Sequence, residues 1–325
     1  MQARRLQRQR GVALLTVLLI TALVSILAVS MIERHRLAIA RTQQLVGYQQ
    51  ALAYALGAER HARSLLRADR EEDSNDPPID SRQDRWAEIE EPFEIPAGEI
   101  EIHIRDLSGL LNLNNTGDLA SRDRLRRLLT ALSMETALAD AIGDWVDGDE
   151  EISGTGGAED GTYLLEEPPY RAGNGPLASV SELRLLSEMD EETYKRLLPF
   201  VSALPPGVRR INVNTAPGPV LAALAPSMTP EAAGAYAFPE EPYAQPGELV
   251  GQEAGFAPEQ GMIAVASRFF EVLVRAEFGG QTVTLRSRVF RDPESAQTTV
   301  LSRDLGQRFA TWVADTDPVA FEEEQ

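Results

Sequence analysis

The 325-residue chain contains no cysteine, which excludes disulfides and thiolate metal sites alike. Histidine is scarce as well. His35 and His61 fall on the first predicted helix and His103 on a predicted strand, so they offer neither a ligand set nor a general base. Positive charge is in short supply: 31 Lys and Arg against 50 Asp and Glu leave a net charge of −19. A chain this acidic lacks the basic face that displaces counterions from a phosphate backbone, so nucleic acid is not an expected partner. Divalent cations are compatible with that charge. No nucleophile elbow, phosphate-cradling glycine loop or catalytic carboxylate pair stands out, and an enzyme is not expected. The rest of the composition is that of a folded protein, with 43% hydrophobic and 25% charged residues. The length allows one large domain or two ordinary ones, each with its own core.

The amino-terminal end carries the strongest pattern. Arg4, Arg5, Arg8 and Arg10 precede Gly11 with no acidic residue among them, and residues 12–32 then run without a charge. As a helix that run spans about 31 Å, the thickness of a bilayer core. The arginines keep the leading end cytoplasmic and place the rest outside. Three readings compete. An ordinary signal peptide has a shorter apolar run and a small-residue exit, whereas this run is followed by Glu33-Arg34-His35-Arg36. A plain anchor fits the length but leaves the glycine at the boundary unexplained. A prepilin-type leader, cut on the cytoplasmic side after Gly11, accounts for both, and RQRG-VALLTVLLI resembles that pattern.

The helix is predicted to continue beyond the membrane. Leu45, Tyr48, Leu52, Ala55 and Leu66 keep one helical stripe until residues 73–78, where Pro77 and Pro78 end it. One rod of roughly sixty residues would start in lipid and finish packed on a body, the shape of pilin-like subunits. Ile100, Ile102 and Ile104 alternate with polar residues as a half-buried strand does, with Phe93 and Ile95 as the partner strand. Downstream, residues 270–278 and 281–290 alternate around Gly279-Gly280, a two-residue hairpin signal. Between these strand groups the clearest helical stretches are 122–138, 179–187, 190–204 and 217–224. The predicted fold class is α+β: a long amino-terminal helix packed on an antiparallel sheet, with a large, mostly helical domain inserted between its strands.

Two motifs in the insertion carry chemistry. Residues 140–167 hold ten acidic side chains, five glycines between 148 and 161, and no Lys or Arg. Carboxylates and carbonyls on a flexible backbone suit calcium, which takes six to eight oxygen ligands. The stretch is not an EF-hand, because Ile152 stands where that loop needs glycine. A merely solvated acidic loop is the alternative. The second motif, INVNTA at 211–216 with an echo in LNLNNT at 111–116, resembles half of a helix-hairpin-helix unit. Asn214 or Thr215 would cap the following helix and Pro217 would sit in its first turn. Such units often grip DNA. In so acidic a chain a packing scaffold for protein contacts is the preferred reading.

Taken together, RQRGVALL, DLSGLLNLN (106–114), DWVDGDEE (144–151), GAEDGTY (157–163), PPYRAGNGPLASVSELRLL (168–186) and INVNTA resemble the type II secretion system protein K family over most of the length. That resemblance implies a prepilin peptidase cutting after Gly11 and methylating Val12. It implies a single-pass protein of the inner membrane, amino terminus cytoplasmic and body periplasmic. Its partners would be minor pseudopilins I and J and the major pseudopilin, with priming of filament assembly at the tip. It further implies structural calcium in the inserted domain, where the matching positions are Asp147, Asp149, Glu159 and Asp160, with Asn174 beside them. Most pilin-like subunits carry a glutamate five residues into the mature chain; here that position is Thr16. A subunit with nothing above it does better without an unpaired carboxylate among apolar helices. The implied division is a leader over 1–11, a helix over 12–72 with 12–32 transmembrane, a discontinuous α/β domain over 73–110 and 265–310, an inserted helical domain over 111–264, and a flexible tail over 311–325. The competing function is a membrane-anchored periplasmic helix-hairpin-helix protein, for example in DNA uptake.

Overall fold

A computed structural model describes residues 6–73, 75, 77–89 and 92–305, with the backbone alone for 6–11. The first leader residues, 1–5, and the expected tail over 311–325 lie outside the described residues. In chain order the elements are α1 (Leu6–Glu72), β1 (Phe93–Ile95), β2 (Gly98–Asp106), β3 (Leu111–Asn112), α2 (Leu119–Ala131), α3 (Leu138–Val146), α4 (Asp160–Tyr163), α5 (Glu191–Leu197), β4 (Val201–Ser202), β5 (Ile211–Asn212), α6 (Gly218–Leu224), α7 (Pro230–Gly234), α8 (Pro246–Gln252), β6 (Ile263–Ala264), β7 (Phe269–Phe278), β8 (Gln281–Arg291) and β9 (Thr298–Leu305).

The 67 residues of α1 form one uninterrupted helix, about 100 Å long at the usual rise. Its first half stands clear of the body, and its second half lies on an antiparallel sheet of order β1-β2-β7-β8-β9. The stripe that docks differs from the one expected. Gly47, Ala51, Ala55, Ala58, Ala62 and Leu66 are buried, at helical spacings of three and four, whereas Leu45 and Tyr48 are exposed and Leu52 is half-buried. Small residues bring the helix close to the sheet: a Cβ on Gly47 would lie 3.0 Å from Gln281 Cγ. Leu45 lies two residues, about half a turn, ahead of that contact and on another side of the helix. Opposite the alanines the sheet presents Ile102, Phe270, Val272, Val274, Val283, Leu285 and Val289, with Trp86 edge-on to Phe270 at 5.2 Å. The β7–β8 hairpin turns through Gly279 and Gly280 at φ +57° and +75°, the double positive φ of a type I′ turn.

Residues 107–268 leave the sheet after β2 and return at β7, two strands that pair with each other so that Asp106 faces Phe270. Entry and exit therefore lie side by side, closed by Leu107 N–H donating to Phe269 O at 2.9 Å. The insertion has its own core, built from Leu125, Leu128, Ile142, Trp145, Tyr163, Leu197, Leu221 and Phe256 among others. The helix expected over 122–138 is two helices: α2 begins earlier, capped by Asp118 accepting from Ser121 N–H at 2.9 Å, and the chain turns at Ser133 with φ +52° before α3. The 179–187 stretch is a tight 3-10 turn held by a Ser179–Glu182 capping box. In the 190–204 stretch Pro199 ends the helical run and the chain enters β4. The molecule is α+β throughout.

Because the docked stripe is small, Ala55→Leu should wedge α1 off the sheet and destabilise the body by about 1–3 kcal/mol. Leu45→Ala, on the exposed rod, should change stability by less than about 0.5 kcal/mol. Thermal unfolding of the two variants in detergent, followed by near-UV circular dichroism, checks the contrast.

Candidate functional site

Two regions carry function-bearing residues: the free half of α1 and the acidic turn of the insertion. Along α1 every side chain from Val12 to Val29 is exposed, Leu19 to 72%. Its hydroxyls bond back to their own helix: Thr16 Oγ1 donates to Ala13 O at 2.9 Å, and Thr21, Ser25 and Ser30 do likewise. No polar group on this stretch is left unsatisfied in an apolar medium. Among the described residues one helix, over Val12–Glu72, is long and apolar enough to cross a membrane, and its charge-free run is 12–32. Gly11 and Val12 lie inside the continuous helix.

The acidic turn is less naked than its sequence suggests. Arg122 of α2 is 3% exposed; it donates to Asp144 Oδ1 at 3.4 Å, Asp147 Oδ2 at 3.2 Å and Thr116 O at 3.1 Å. Arg126 pairs with Asp140. Asp144 Oδ2 also accepts from Ser153 N–H at 3.0 Å. Close packing explains Gly157, where a Cβ would lie 2.4 Å from that same oxygen. Asp160 faces elsewhere, accepting from Ala172 N–H at 2.9 Å and Arg171 at 3.0 Å. These cations were invisible to a reading confined to 140–167. The signal that could have found them is the basic run 122–127 on the preceding helix.

What remains is a compact group. One oxygen each of Asp147, Asp149 and Glu159 lie within 4.8 Å of one another. Glu159 is 3% exposed and neither of its carboxylate oxygens has a hydrogen-bond partner in the protein; the same holds for Asp147 Oδ1 and for the Asn174 carbonyl oxygen. Burial first, then Asp144, Asp147 and Asp149, pushes the Glu159 carboxyl up to about 7. Burial and the charges of Asp149 and Asp144 also raise Asp147, against the pull of Arg122. The structure thus brings Asp147, Asp149 and Glu159 together and separates Asp160 from them. A second carboxylate group, Asp69, Asp80 and Asp84, escaped the sequence reading. Two of its members, Asp69 and Asp80, pair with Arg291, which falls on the inward register of β8 with Val283, Leu285 and Val289; an arginine in that register was the available clue.

The two asparagine motifs are structural clamps. Asn214 does not cap α6, which starts after Pro217 with Pro219 in its first turn and no side-chain cap. Its buried amide instead grips one residue of another loop, accepting from Tyr243 N–H at 2.8 Å and donating to Tyr243 O at 3.1 Å. Asn114 grips Leu177 in the same way, at 2.7 and 3.0 Å. Asn112 and Asn212 sit in the paired parallel strands β3·β4 and β5·β6, likewise buried. Side chains so committed are not presented to a DNA backbone. The histidines lie apart, His61 edge-on to Phe93 and His103 bonded to Glu101 at 2.8 Å.

A family model described as type II secretion system (T2SS), protein K, matches residues 106–206. The type II secretion system protein K of Pseudomonas aeruginosa is 38% identical over 316 residues, spanning 92% of this chain and 93% of that protein. That of Pectobacterium carotovorum subsp. carotovorum is 32% identical over 324 residues, spanning 92% and 97%. Among solved structures, a chain of the GspK-GspI-GspJ complex from the enterotoxigenic Escherichia coli type 2 secretion system superposes with a TM-score of 0.71 at 25% identity, covering 82% of this chain and 99% of that chain.

Replacing Arg122 by Met leaves the carboxylates of Asp144 and Asp147 buried without a counter-charge and should destabilise the insertion by about 3 kcal/mol near neutral pH. The deficit should shrink as the pH falls, where a proton can neutralise Asp147, whose carboxyl is already raised by burial and by the charges of Asp149 and Asp144. Urea midpoints at neutral and at lower pH measure both effects.

Proposed function

The chain belongs to the type II secretion system protein K family and serves type II secretion as a minor pseudopilin, and we propose that it works at the tip of the pseudopilus as a calcium-stiffened cap. In this reading a prepilin peptidase cuts after Gly11 and methylates Val12, and residues 12–32 anchor the mature subunit in the inner membrane with the body in the periplasm. Minor pseudopilins I and J are its neighbours, as the GspK-GspI-GspJ complex of the similar chain suggests. The major pseudopilin assembles beneath the three. The role is structural rather than enzymatic.

The observation that carries this reading is the shape of α1: one rigid helix whose exposed, internally satisfied apolar half projects from the body. A helix of that kind is stable in lipid and equally stable packed among apolar helices of neighbouring subunits, so the same segment serves membrane storage and filament assembly. Thr16 supports a terminal place. Its hydroxyl is satisfied by Ala13 O and asks nothing of a subunit above, where a carboxylate would need a partner. The bulk of residues 107–268, hung on one side of the sheet, would obstruct stacking of further subunits on top.

Calcium fits the residues present. A hard cation takes oxygen ligands, and Asp147, Asp149 and Glu159 offer three carboxylates, several of whose buried oxygens have no other partner. Asn174 offers a carbonyl oxygen in the same condition. Asp160 holds the neighbouring backbone, through Ala172 N–H, and would act as a support rather than a ligand. When bound, the ion supplies positive charge that cancels the mutual repulsion of these carboxylates and ties residues 144–160 together.

Two outcomes test the reading. Gly11→Ala should block leader removal, seen by mass spectrometry as an intact amino terminus in place of a methylated Val12; normal maturation of the variant would remove the prepilin reading. For calcium the sign follows from Glu159. Its folded-state carboxyl titrates near 7 against an ordinary 4.5, so the ion-free fold is favoured by a proton at low pH and loses that advantage as pH rises through 7. Calcium should therefore raise the melting temperature more at pH 8 than at pH 5, and Asp147→Ala with Asp149→Ala should abolish the rise. An equal rise at both pH values, or none, returns the turn to a solvated acidic loop.

A further inference from the structure

The cations that flank the charge-free run of α1 are of two kinds. Arg4, Arg5, Arg8 and Arg10 precede it and would be discarded with the leader. Residues 33–41, just beyond it, hold Arg34, Arg36 and Arg41 against the single acid Glu33. Counting His35 as neutral, that leaves a surplus of two positive charges, in a chain whose net charge is −19. A mature subunit cut after Gly11 would therefore carry its basic flank on the periplasmic side, the reverse of the usual cytoplasmic bias. Every side chain from Glu33 to Val46 is exposed. Among the described residues the first ion pair along α1 comes much later, Arg63 with Glu59 at 3.8 Å.

Position along the axis puts two of these arginines at headgroup depth. At the usual helical rise Arg34 and Arg36 stand about 3 and 6 Å beyond Ile32. The polar layer on each side of a bilayer core is about 5–7 Å deep, so both fall within it. Arg41, about 14 Å beyond Ile32, stands outside. Position around the axis distinguishes what surrounds them. At about 100° per residue, Arg34 and Arg36 leave the helix on sides about 160° apart. A single protein surface covers one side of a helix, whereas a layer of headgroups encircles it. Glu33 lies about 60° from Arg36 and about 100° from Arg34, so it opposes neither directly.

We propose, on the strength of the membrane span and leader removal proposed above, that Arg34 and Arg36 clasp the phosphates of anionic phospholipids in the periplasmic leaflet. A guanidinium presents paired N–H donors that match two phosphate oxygens. A surplus of positive charge favours lipids of net negative charge over zwitterionic ones, whose own cation competes. The collar also separates an anionic surface from an acidic body that it would repel, and so sets the depth at which the subunit rests. Movement of the helix toward the periplasm carries both arginines away from the hydrocarbon. Only the discarded leader holds arginines that would have to cross it, at high cost.

The test is native mass spectrometry of the full chain in dodecyl maltoside micelles, titrated with phosphatidylglycerol or phosphatidylcholine. The wild type should retain phosphatidylglycerol in preference. Arg34→Gln with Arg36→Gln should weaken that retention about fivefold for each arginine lost. Leader arginines are present in both chains and cancel from the comparison. Arg60→Gln with Arg67→Gln removes the same charge from the same helix, about 40 Å or more beyond Ile32, and should change nothing. Glycerol 3-phosphate, the same headgroup chemistry without acyl chains, should not displace the lipid. Equal retention of the two lipids, equal loss in the distal variant, or displacement by the soluble phosphate would overturn the proposal. Undiminished retention by the Arg34 and Arg36 variant would overturn it too and assign the collar to a protein neighbour. Flotation with mixed vesicles of the two lipids separates this idea from the span beneath it. A wild type that fails to float removes both, whereas chains that float alike and retain phosphatidylglycerol alike remove the lipid contact alone.

Discussion

Arg291 ends β8 on the inward register, where an apolar side chain would be expected, and its guanidinium is 1% exposed. It is tolerated because its surroundings are filled with acceptors. It donates to Leu66 O at 3.0 Å and Asp69 at 3.2 Å on α1, to Asp80 in the following loop, and to Ser267 O at 3.1 Å where the chain re-enters the sheet; Phe270 lies beneath it at 4.7 Å. Around this point the segments interlock. Asp80 accepts from Ser267 N–H at 2.6 Å, and Asp106 accepts from Ser267, Thr215 and Asn212. Burial raises Asp69 to about 7 and Asp80 to about 6 even with the guanidinium beside them. A hub of this kind adds little net stability, since desolvation offsets most of the Coulomb gain, but breaking any member leaves a buried charge alone. Its contribution is to fix one arrangement of helix, sheet and insertion, of which the helix and sheet share one apolar core and the insertion has its own.

The proposed function depends on that arrangement. The rod must leave the body in one direction for its apolar half to enter lipid or a filament, and the insertion must stand to one side. The helix docks through alanines, which give close approach but little shape to specify register along the helix axis. Polar ties supply it. Glu59, 1% exposed on α1, is held by Ser287 at 2.7 Å and Arg303 at 2.6 Å, and Arg291 clasps the last turns. Side entry and exit of the insertion between two paired strands then hang a second core on the sheet without interrupting its ladder.

Period and punctuation made the frame legible in the sequence: the charge-free run and its helical continuation, the isoleucine alternation of β2, and the paired glycines of the β7–β8 turn. Side-chain size misled at the docked face, because hydrophobicity favours Leu45 and Tyr48 while close helix–sheet packing favours Gly47, Ala51 and Ala58. Asn214 read as a helix cap because capping and loop clamping use the same amide; only the position of Tyr243 distinguishes them, and that is a tertiary fact. The acidic turn read as self-repelling because its counter-charges sit on α2. The family resemblance marked Asp147, Asp149 and Glu159 within an acidic, glycine-rich stretch, and the fold brings these three together. The orientation of Asp160 toward Ala172 was not legible, since it depends on how the chain folds back after α4.

The choice of cation ties these features together. Lys195 is the single lysine of the chain, so nearly all of its positive charge is arginine. In a protein this acidic, a lysine placed between buried carboxylates could satisfy one direction at a time, and its point charge is strongly hydrated. A guanidinium reaches two or three acceptors in fixed directions and loses less on burial. Arg122 spans Asp144, Asp147 and Thr116 O; Arg291 spans helix, loop and strand; Arg288 spans β9 and two carbonyls of the insertion. Arg291 and Arg288 stand at boundaries between parts, whereas Arg122 ties three segments within the insertion. The chain therefore uses apolar packing to build each unit and forked cations to tie segments together, both within the insertion and between units. At Asp149 and Glu159 that pattern leaves carboxylates without a fork, and there burial and the neighbouring acidic charges favour a proton on Glu159 instead.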